Sequence, residues 1–314
     1  MKGLSKDSVS RHRIGDEAGG QRIDNYLVKL LKGVPKSHVY RILRSGEVRV
    51  NGGRAKPDYR VQGGDELRVP PVRVAERAPR AAPPVSAALE RAILLEDEYL
   101  LALNKPSGLA VHGGSGINFG VIEQLRAQRP QSRFLELVHR LDRDTSGVLL
   151  LAKKRSALTA LHAELREGRV RKFYLALVKG KWLDGKQSVR LNLHKYLLAS
   201  GERRVAVKAD GQESHTIFAL ERACGDFSLL RAELKTGRTH QIRVHLAHLG
   251  FPIAGDDKYG DFESNKLLAR SGLKRMFLHA ANVTFRHPAS GAKVTVEAPL
   301  PAELQNFLQT LKQP

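Results

Sequence analysis

The sequence predicts an α+β protein in two domains of unequal size, and three features predict it. Residues 20–70 read as two helices followed by short strands, a small N-terminal α/β domain. Residues 86–314 mix strand and helix signals with no internal repeat, which suits a catalytic-sized domain with a central, mostly antiparallel sheet flanked by helices. Between them, residues 71–85 hold clustered prolines, alanines and alternating charges, a semi-extended linker. Residues 1–19 read as an N-terminal tail. At 314 residues the chain can give each domain its own core.

In the small block, Ile23, Leu27, Leu30 and Leu31 share one face of a first helix. Ser37 offers an N-cap for a second, whose Val39, Ile42 and Leu43 repeat the spacing before Gly46 ends it. Residues 47–50 then alternate, Asn51-Gly52 is a hairpin signal, and residues 65–69 alternate again.

In the large block, strands are expected at 99–103, 148–153, 173–179, 227–234 and 294–298. Ser156 can cap a helix that carries Leu158, Leu161 and Leu165 and stops at Gly168. Residues 240–249 read as a helix with Ile242, Leu246 and Leu249 inward and Gly250 just past its end.

Charge narrows the function classes. Fifty-three Lys and Arg against 32 Asp and Glu give a formal net charge of +21, which points to a polyanionic partner. Residues 1–82 hold a net +9 and residues 83–314 a net +12, so the small block is the denser positive surface. Lys32, Lys36, Arg41, Arg44 and Arg49 cluster there as candidate phosphate contacts. No run of 18 apolar residues suggests a membrane span, and the first 20 residues carry Lys2, Lys6, Arg11 and Arg13 with no apolar core of a signal. The single Cys224 excludes an internal disulfide and weighs against a thiolate metal site. The expectation is a cytoplasmic, monomeric protein that binds nucleic acid and needs no metal or cofactor.

Two strings carry the chemistry. Residues 139–147, H-R-L-D-R-D-T-S-G, set an aspartate among arginines in a loop before the apolar run 148–152. A carboxylate held by guanidinium groups stays ionised at neutral pH and is a candidate nucleophile. Asp142 and Asp144 both qualify, and they are too close in sequence to be assigned to the two sides of a sugar. Residues 235–245 form a turn entering a helix, with Arg238 and Arg243 available to clamp a phosphate or the carboxylate.

Other motifs fall away. The glycine-rich turn at 113–116 lacks the Lys-Ser/Thr of a phosphate loop. His240, His245 and His248 match no zinc spacing, so packing or phosphate contact is expected of them.

Together these strings resemble the pseudouridine synthases that modify large-subunit (23S) ribosomal RNA. The likeness runs through R-I-D-N-Y-L, K-S-x-x-Y-R-I-L-R-S-G and V-R-V-N-G in the small block, which resembles the S-four RNA-binding domain. It continues through N-K-P-S-G-L-A-V-H-G-G-S-G at 104–116, the 139–147 loop, K-F-Y-L-A-L-V-K-G at 172–180, T-G-R-T-H-Q-I-R-V-H at 236–245 and P-I-A-G-D-D-K-Y-G at 252–260. Longer strings, such as L-K-G-V-P-K-S, are similar to the bacterial C-type members.

The resemblance implies roles. Asp142 matches the catalytic aspartate, Tyr174 the tyrosine that stacks on the target base and is a candidate to take its proton, and Arg243 the arginine that pairs with the aspartate. Arg140 and Arg238 are expected to contact RNA. The partner implied is 23S ribosomal RNA or a precursor of the large subunit, with the uridine drawn out of its stack. Whether the carboxylate attacks the anomeric carbon or removes a ribose proton stays open. A non-catalytic RNA-binding assembly factor and a glycosidic hydrolase with a second carboxylate are the rival readings.

Overall fold

A computed structural model describes residues 8–31, 33–72, 86–113 and 119–311. Lys32, most of the expected linker and most of the 113–116 turn lie outside the described residues. The chain divides into two compact units, 1–82 and 83–314, and their buried apolar clusters share no residue.

The first unit runs β1 (Ser10–Arg13), a short 3-10 turn (Asp16–Ala18), α1 (Ile23–Leu30), α2 (Lys36–Arg44), β2 (Arg49–Val50), β3 (Gly53–Arg54) and β4 (Glu66–Val69). Its antiparallel sheet has the order β1-β4-β2-β3. Ser10–Arg13 is therefore an edge strand on β4 and not a tail. An S-R-H-R edge, wet on its open side, lacks the apolar alternation that announces a strand. The helix faces are as the spacing predicts, with Ile23, Leu27, Leu31, Val39, Ile42 and Leu43 buried against Leu67 and Val69. Ser37 does not cap α2; Pro35 holds that position, because a proline loses no needed N–H there. Asn51 and Gly52 both take positive φ, 48° and 80°, as a two-residue hairpin turn requires.

The second unit runs α3 (Ala87–Arg91), β5 (Ile93–Glu96), β6 (Leu100–Lys105), α4 (Val121–Gln128), β7 (Glu136–Leu137), β8 (Ser146–Ala152), α5 (Arg155–Arg166), β9 (Arg171–Lys179), β10 (Lys186–Leu197), β11 (Arg203–Val207), β12 (Gln212–Cys224), β13 (Phe227–Leu234), α6 (Gln241–His248), α7 (Phe262–Arg270), β14 (Leu278–Arg286), β15 (Lys293–Glu297) and α8 (Ala302–Thr310). One 11-stranded sheet has the order β11-β10-β12-β13-β9-β14-β8-β6-β5, with β15 beside β14 and β7 beside β8. Its pairs are antiparallel except β14 with β8.

The continuous apolar run of β8 follows from burial on both faces. Leu149 and Leu151 pack with Val121, Ile122 and Leu125 of α4, while Val148 and Leu150 pack with Ala157, Leu158 and Leu161 of α5. Ser156 is not the cap of α5, which begins at Arg155 after Lys154. The parallel contact of β8 with β14 depends on Gly147: its φ is 109°, and a Cβ there would lie 2.2 Å from the Ala280 carbonyl oxygen. Thus Thr-Ser-Gly ends the 139–147 loop with the residue that lets the buried strand start.

Candidate active site

The loop between β7 and β8 carries Asp142 into the wall of a cavity of about 690 Å³. Its frame is built from the residues around it. His139 accepts the Leu150 N–H on Nε2 at 3.2 Å, so the loop is tied to β8 at its start. Burial first, then the charge of Lys172, push the His139 pKa down to about 3, so the ring is neutral and free to accept. Leu141 and Thr145 are buried on either side of the half-exposed Asp142.

Lys105, at the end of β6, anchors the far side. Its ammonium is fully buried and donates to the carbonyls of Pro106, Leu109 and Arg143 at 2.7, 2.8 and 2.9 Å. Burial pushes its pKa down to about 7, with Asp144 pulling the other way. Three carbonyl acceptors are satisfied only by a group with three protons, so the charged form is the one this nest holds.

The guanidinium beside Asp142 does not come from its sequence neighbours. Arg143 turns to Asp144, Nε to Oδ1 at 3.1 Å, and Arg140 is exposed at the cavity lining. Asp144 is engaged with Arg143 and is not among the residues that line the cavity with Asp142. Arg243, on the first turn of α6 and 2% exposed in its side chain, supplies the contact: Nη1 donates to Asp142 Oδ2 at 3.4 Å.

The fork of Arg243 is set elsewhere. Nε and Nη2 donate to the two carboxylate oxygens of buried Asp256 at 2.7 and 2.6 Å, and Nη2 also reaches Asp257 at 3.2 Å. Asp256 Oδ1 in turn accepts the N–H groups of Lys258 and Tyr259 at 2.8 and 3.0 Å. Burial works against both charges, yet the pair offsets it: the Arg243 pKa is raised and that of Asp256 lowered.

Tyr174 lines the same cavity from β9 and is almost fully buried. Burial, then the charge of Asp142, push its phenol well above the usual tyrosine range. Lys172, two residues earlier and therefore on the same face of the strand, is also buried. A Cβ on Gly237 would lie 3.8 Å from its Nζ, so the ammonium lies against the turn before α6. That turn is held by Gln241, whose Oε1 accepts from Arg238 N at 3.0 Å and Thr236 Oγ1 at 2.8 Å.

Asp142, Tyr174, Arg243, Arg140 and Arg238 thus share one cavity. Arg238 is exposed and donates Nε to the Glu213 carbonyl at 3.0 Å, leaving the rest of its guanidinium outward. In the other unit Lys36, Arg41 and Arg44 are exposed on α2, while half-buried Arg49 on β2 donates to the Gly52 carbonyl at 3.2 Å. Arg41 meets Glu47 at 3.4 Å, an exposed pair of small energetic weight.

Sequence reasoning missed Asp256, Lys172 and Lys105 as site residues. The P-I-A-G-D-D-K-Y-G string pointed at Asp256 without a role; nothing local marks Lys172 or Lys105 as buried. Among the described residues no cluster of His, Cys, Asp or Glu is arranged for a metal ion, and no helix is long and apolar enough to cross a membrane.

Comparison with known proteins gives a consistent picture. The family model for RNA pseudouridylate synthase matches residues 99–248, and that for the S-four domain matches residues 21–67. Ribosomal large subunit pseudouridine synthase C of Escherichia coli (strain K12) is 58% identical over 302 residues, covering 95% of this chain and 94% of its own. The protein of the same name from Haemophilus influenzae is 54% identical over 316 residues, covering 99% and 97%. Among solved structures, Human RNA Pseudouridylate Synthase Domain Containing 4 aligns with a TM-score of 0.58 at 26% identity, over 72% of this chain and 96% of that one.

Proposed function

The chain belongs to the RNA pseudouridine synthases, and from that premise we propose that it isomerises uridines of large-subunit (23S) ribosomal RNA, with Asp142 as the nucleophile or base. Relatives 58% and 54% identical act, by name, on the ribosomal large subunit, which supports that substrate. The net charge of +21 supports a polyanionic partner. A cytoplasmic site of action goes with such a substrate.

The reaction changes connectivity and not composition. The bond from the anomeric carbon to uracil N1 breaks, the base turns, and a bond to C5 forms while the C5 hydrogen leaves as a proton. One observation carries the role of Asp142: Arg243 occupies one of its carboxylate oxygens at 3.4 Å, and the other, Oδ1, is turned away toward His240. A carboxylate oxygen on a fixed frame suits either attack at the anomeric carbon or removal of a ribose proton.

Tyr174 serves as the surface on which the flipped base rests. Its ring lines the cavity with Asp142, and burial favours the neutral phenol, which suits stacking on the base. Arg140 and Arg238 at the cavity, with Lys32, Lys36, Arg41, Arg44 and Arg49 of the S-four unit, take backbone phosphates. The S-four unit acts as an affinity module joined to the catalytic unit through residues 71–85.

The test is tritium release from transcripts labelled with [5-³H]uridine. Release with the RNA chain intact is expected from a large-subunit transcript. Equal release from a small-subunit transcript, or none from the large, contradicts the substrate assignment.

A further inference from the structure

The Oδ1 oxygen of Asp142 faces His240, whose Nε2 lies 3.9 Å away. That is too long for a hydrogen bond between the two. It leaves the imidazole beside the reacting oxygen, and three features fix its state. The Tyr259 hydroxyl accepts the Val205 N–H at 2.9 Å and shares a hydrogen bond with His240 Nδ1 at 2.8 Å. With Tyr259 as the donor of that pair, Nδ1 is the unprotonated nitrogen and Nε2 carries the hydrogen that faces Asp142, the tautomer the carboxylate favours. Burial pushes the His240 pKa below the usual histidine range against the pull of Asp142, with Arg243 and Lys258 adding to the fall and Asp256 opposing it. The ring is neutral at pH 7 and donates through one nitrogen only.

The backbone adds a separate sign. His240 takes φ 53° and ψ 20°, and it shares positive φ with only one other non-glycine among the described residues, Asn51 of the hairpin turn. No tight hairpin requires this at His240. The conformation sets the ring against Tyr259, centroids 5.5 Å apart, and its far nitrogen toward Asp142. Left-handed residues of this kind gather where a side chain must be aimed.

We propose that His240 is a catalytic residue whose Nε2–H donates a hydrogen bond to an oxygen of the flipped-out nucleotide held against Asp142 Oδ1. The proposal rests on Asp142 being the reacting carboxylate. A carbon approached by Oδ1 at about 3–3.5 Å brings its neighbouring oxygens alongside Nε2, which lies 3.9 Å from Oδ1 and opens on the same space. Two good acceptors lie that close to the anomeric carbon, the ribose 2′-hydroxyl and uracil O2. A fixed donor there stabilises charge that builds as the glycosidic bond breaks.

His240→Asn and His240→Gln separate this role from a structural one. Asn ends at the depth of Nδ1: it tolerates positive φ and can keep the Tyr259 contact, but it lacks the far donor. Gln reaches the depth of Nε2 and restores it. Turnover by tritium release and affinity for a large-subunit transcript are measured for both. His240→Asn is expected to lose about a hundredfold in turnover with affinity nearly unchanged, and His240→Gln to recover much of the loss. Asn matching wild type, or Gln falling below Asn, overturns the proposal.

Transcripts carrying 2′-deoxyuridine or 2-thiouridine, given to the wild-type enzyme and to His240→Asn, tell the acceptors apart. The modification that removes the acceptor lowers wild-type turnover and cancels the Asn penalty. If neither modified RNA lowers turnover, or the Asn penalty is undiminished on both, the contact is refuted. Activity retained by Asp142→Asn defeats the underlying assignment instead, whatever the His240 variants do.

Discussion

Arg243 is bound more closely to Asp256 than to Asp142: two hydrogen bonds of 2.6 and 2.7 Å against one of 3.4 Å. The structural carboxylate absorbs most of the guanidinium's charge and fixes its plane. Asp142 receives orientation without a tight ion pair, as the nucleophile or base role proposed for it requires.

Arg243→Lys follows from this arrangement. A lysine is a point donor and cannot hold both Asp256 oxygens and still reach Asp142. Turnover is expected to fall about a hundredfold while RNA affinity stays near wild type. Arg238→Ala, exposed at the cavity, should instead weaken binding and lower the salt slope by about one. Steady-state kinetics and salt titrations of both variants check this; the same defect in both, confined to binding, contradicts it.

Acid stability depends on His245. It is fully buried, and burial pushes its pKa down to about 4. Ser214 gives its proton to the Leu191 carbonyl, so His245 Nε2 must donate to Ser214 Oγ at 2.7 Å, while buried Nδ1 has no partner. A second proton on the folded ring has no acceptor. The unfolded chain takes that proton at about 6.5 and the folded one only near 4. Stability contributed by the neutral ring is therefore present above about 6.5 and falls as pH drops toward 4. Thermal midpoints should decline across that window, and less steeply for His245→Gln, which keeps the donor to Ser214. Parallel declines would remove His245 as a cause.

Much of the site was legible because its chemistry is contiguous. Nine residues from His139 to Gly147 carry the Asp142 carboxylate, the histidine that ties the loop to β8 and the glycine that admits β14. The partner is not legible in those nine residues; it came from the resemblance and the 235–245 string, as Arg243. Arg143 stands next to Asp142 in sequence, but the loop turns it to Asp144, and the guanidinium arrives from 101 residues away. The lock on that guanidinium, Asp256, lies in a loop with no periodicity to read. Among the strands, β8 and β13 stand out by apolar pattern, whereas β10, β11 and β12 went unseen. Their alternation is interrupted by Lys, Arg and Glu on an exposed arm, where half the face needs no apolar residue.

The two units have separate apolar clusters, so removal of residues 1–82 should leave the Asp142 site folded. Without the S-four contacts the Michaelis constant should rise, most at physiological salt, and turnover at saturating RNA should change much less. Kinetics of the truncated chain at two salt concentrations measure this. An unchanged Michaelis constant with collapsed turnover would mean the small unit helps to build the active complex.

The most direct test of the central claim is tritium release by Asp142→Asn on a large-subunit transcript, read beside RNA affinity. Asparagine nearly preserves volume and can still accept from Arg243, but it has no anionic oxygen to attack or to take a proton. Release is expected to fall to background while RNA binding stays within about threefold of wild type, a shift of less than one kcal/mol. Pseudouridine formation by this variant, free of wild-type contamination, would contradict the account.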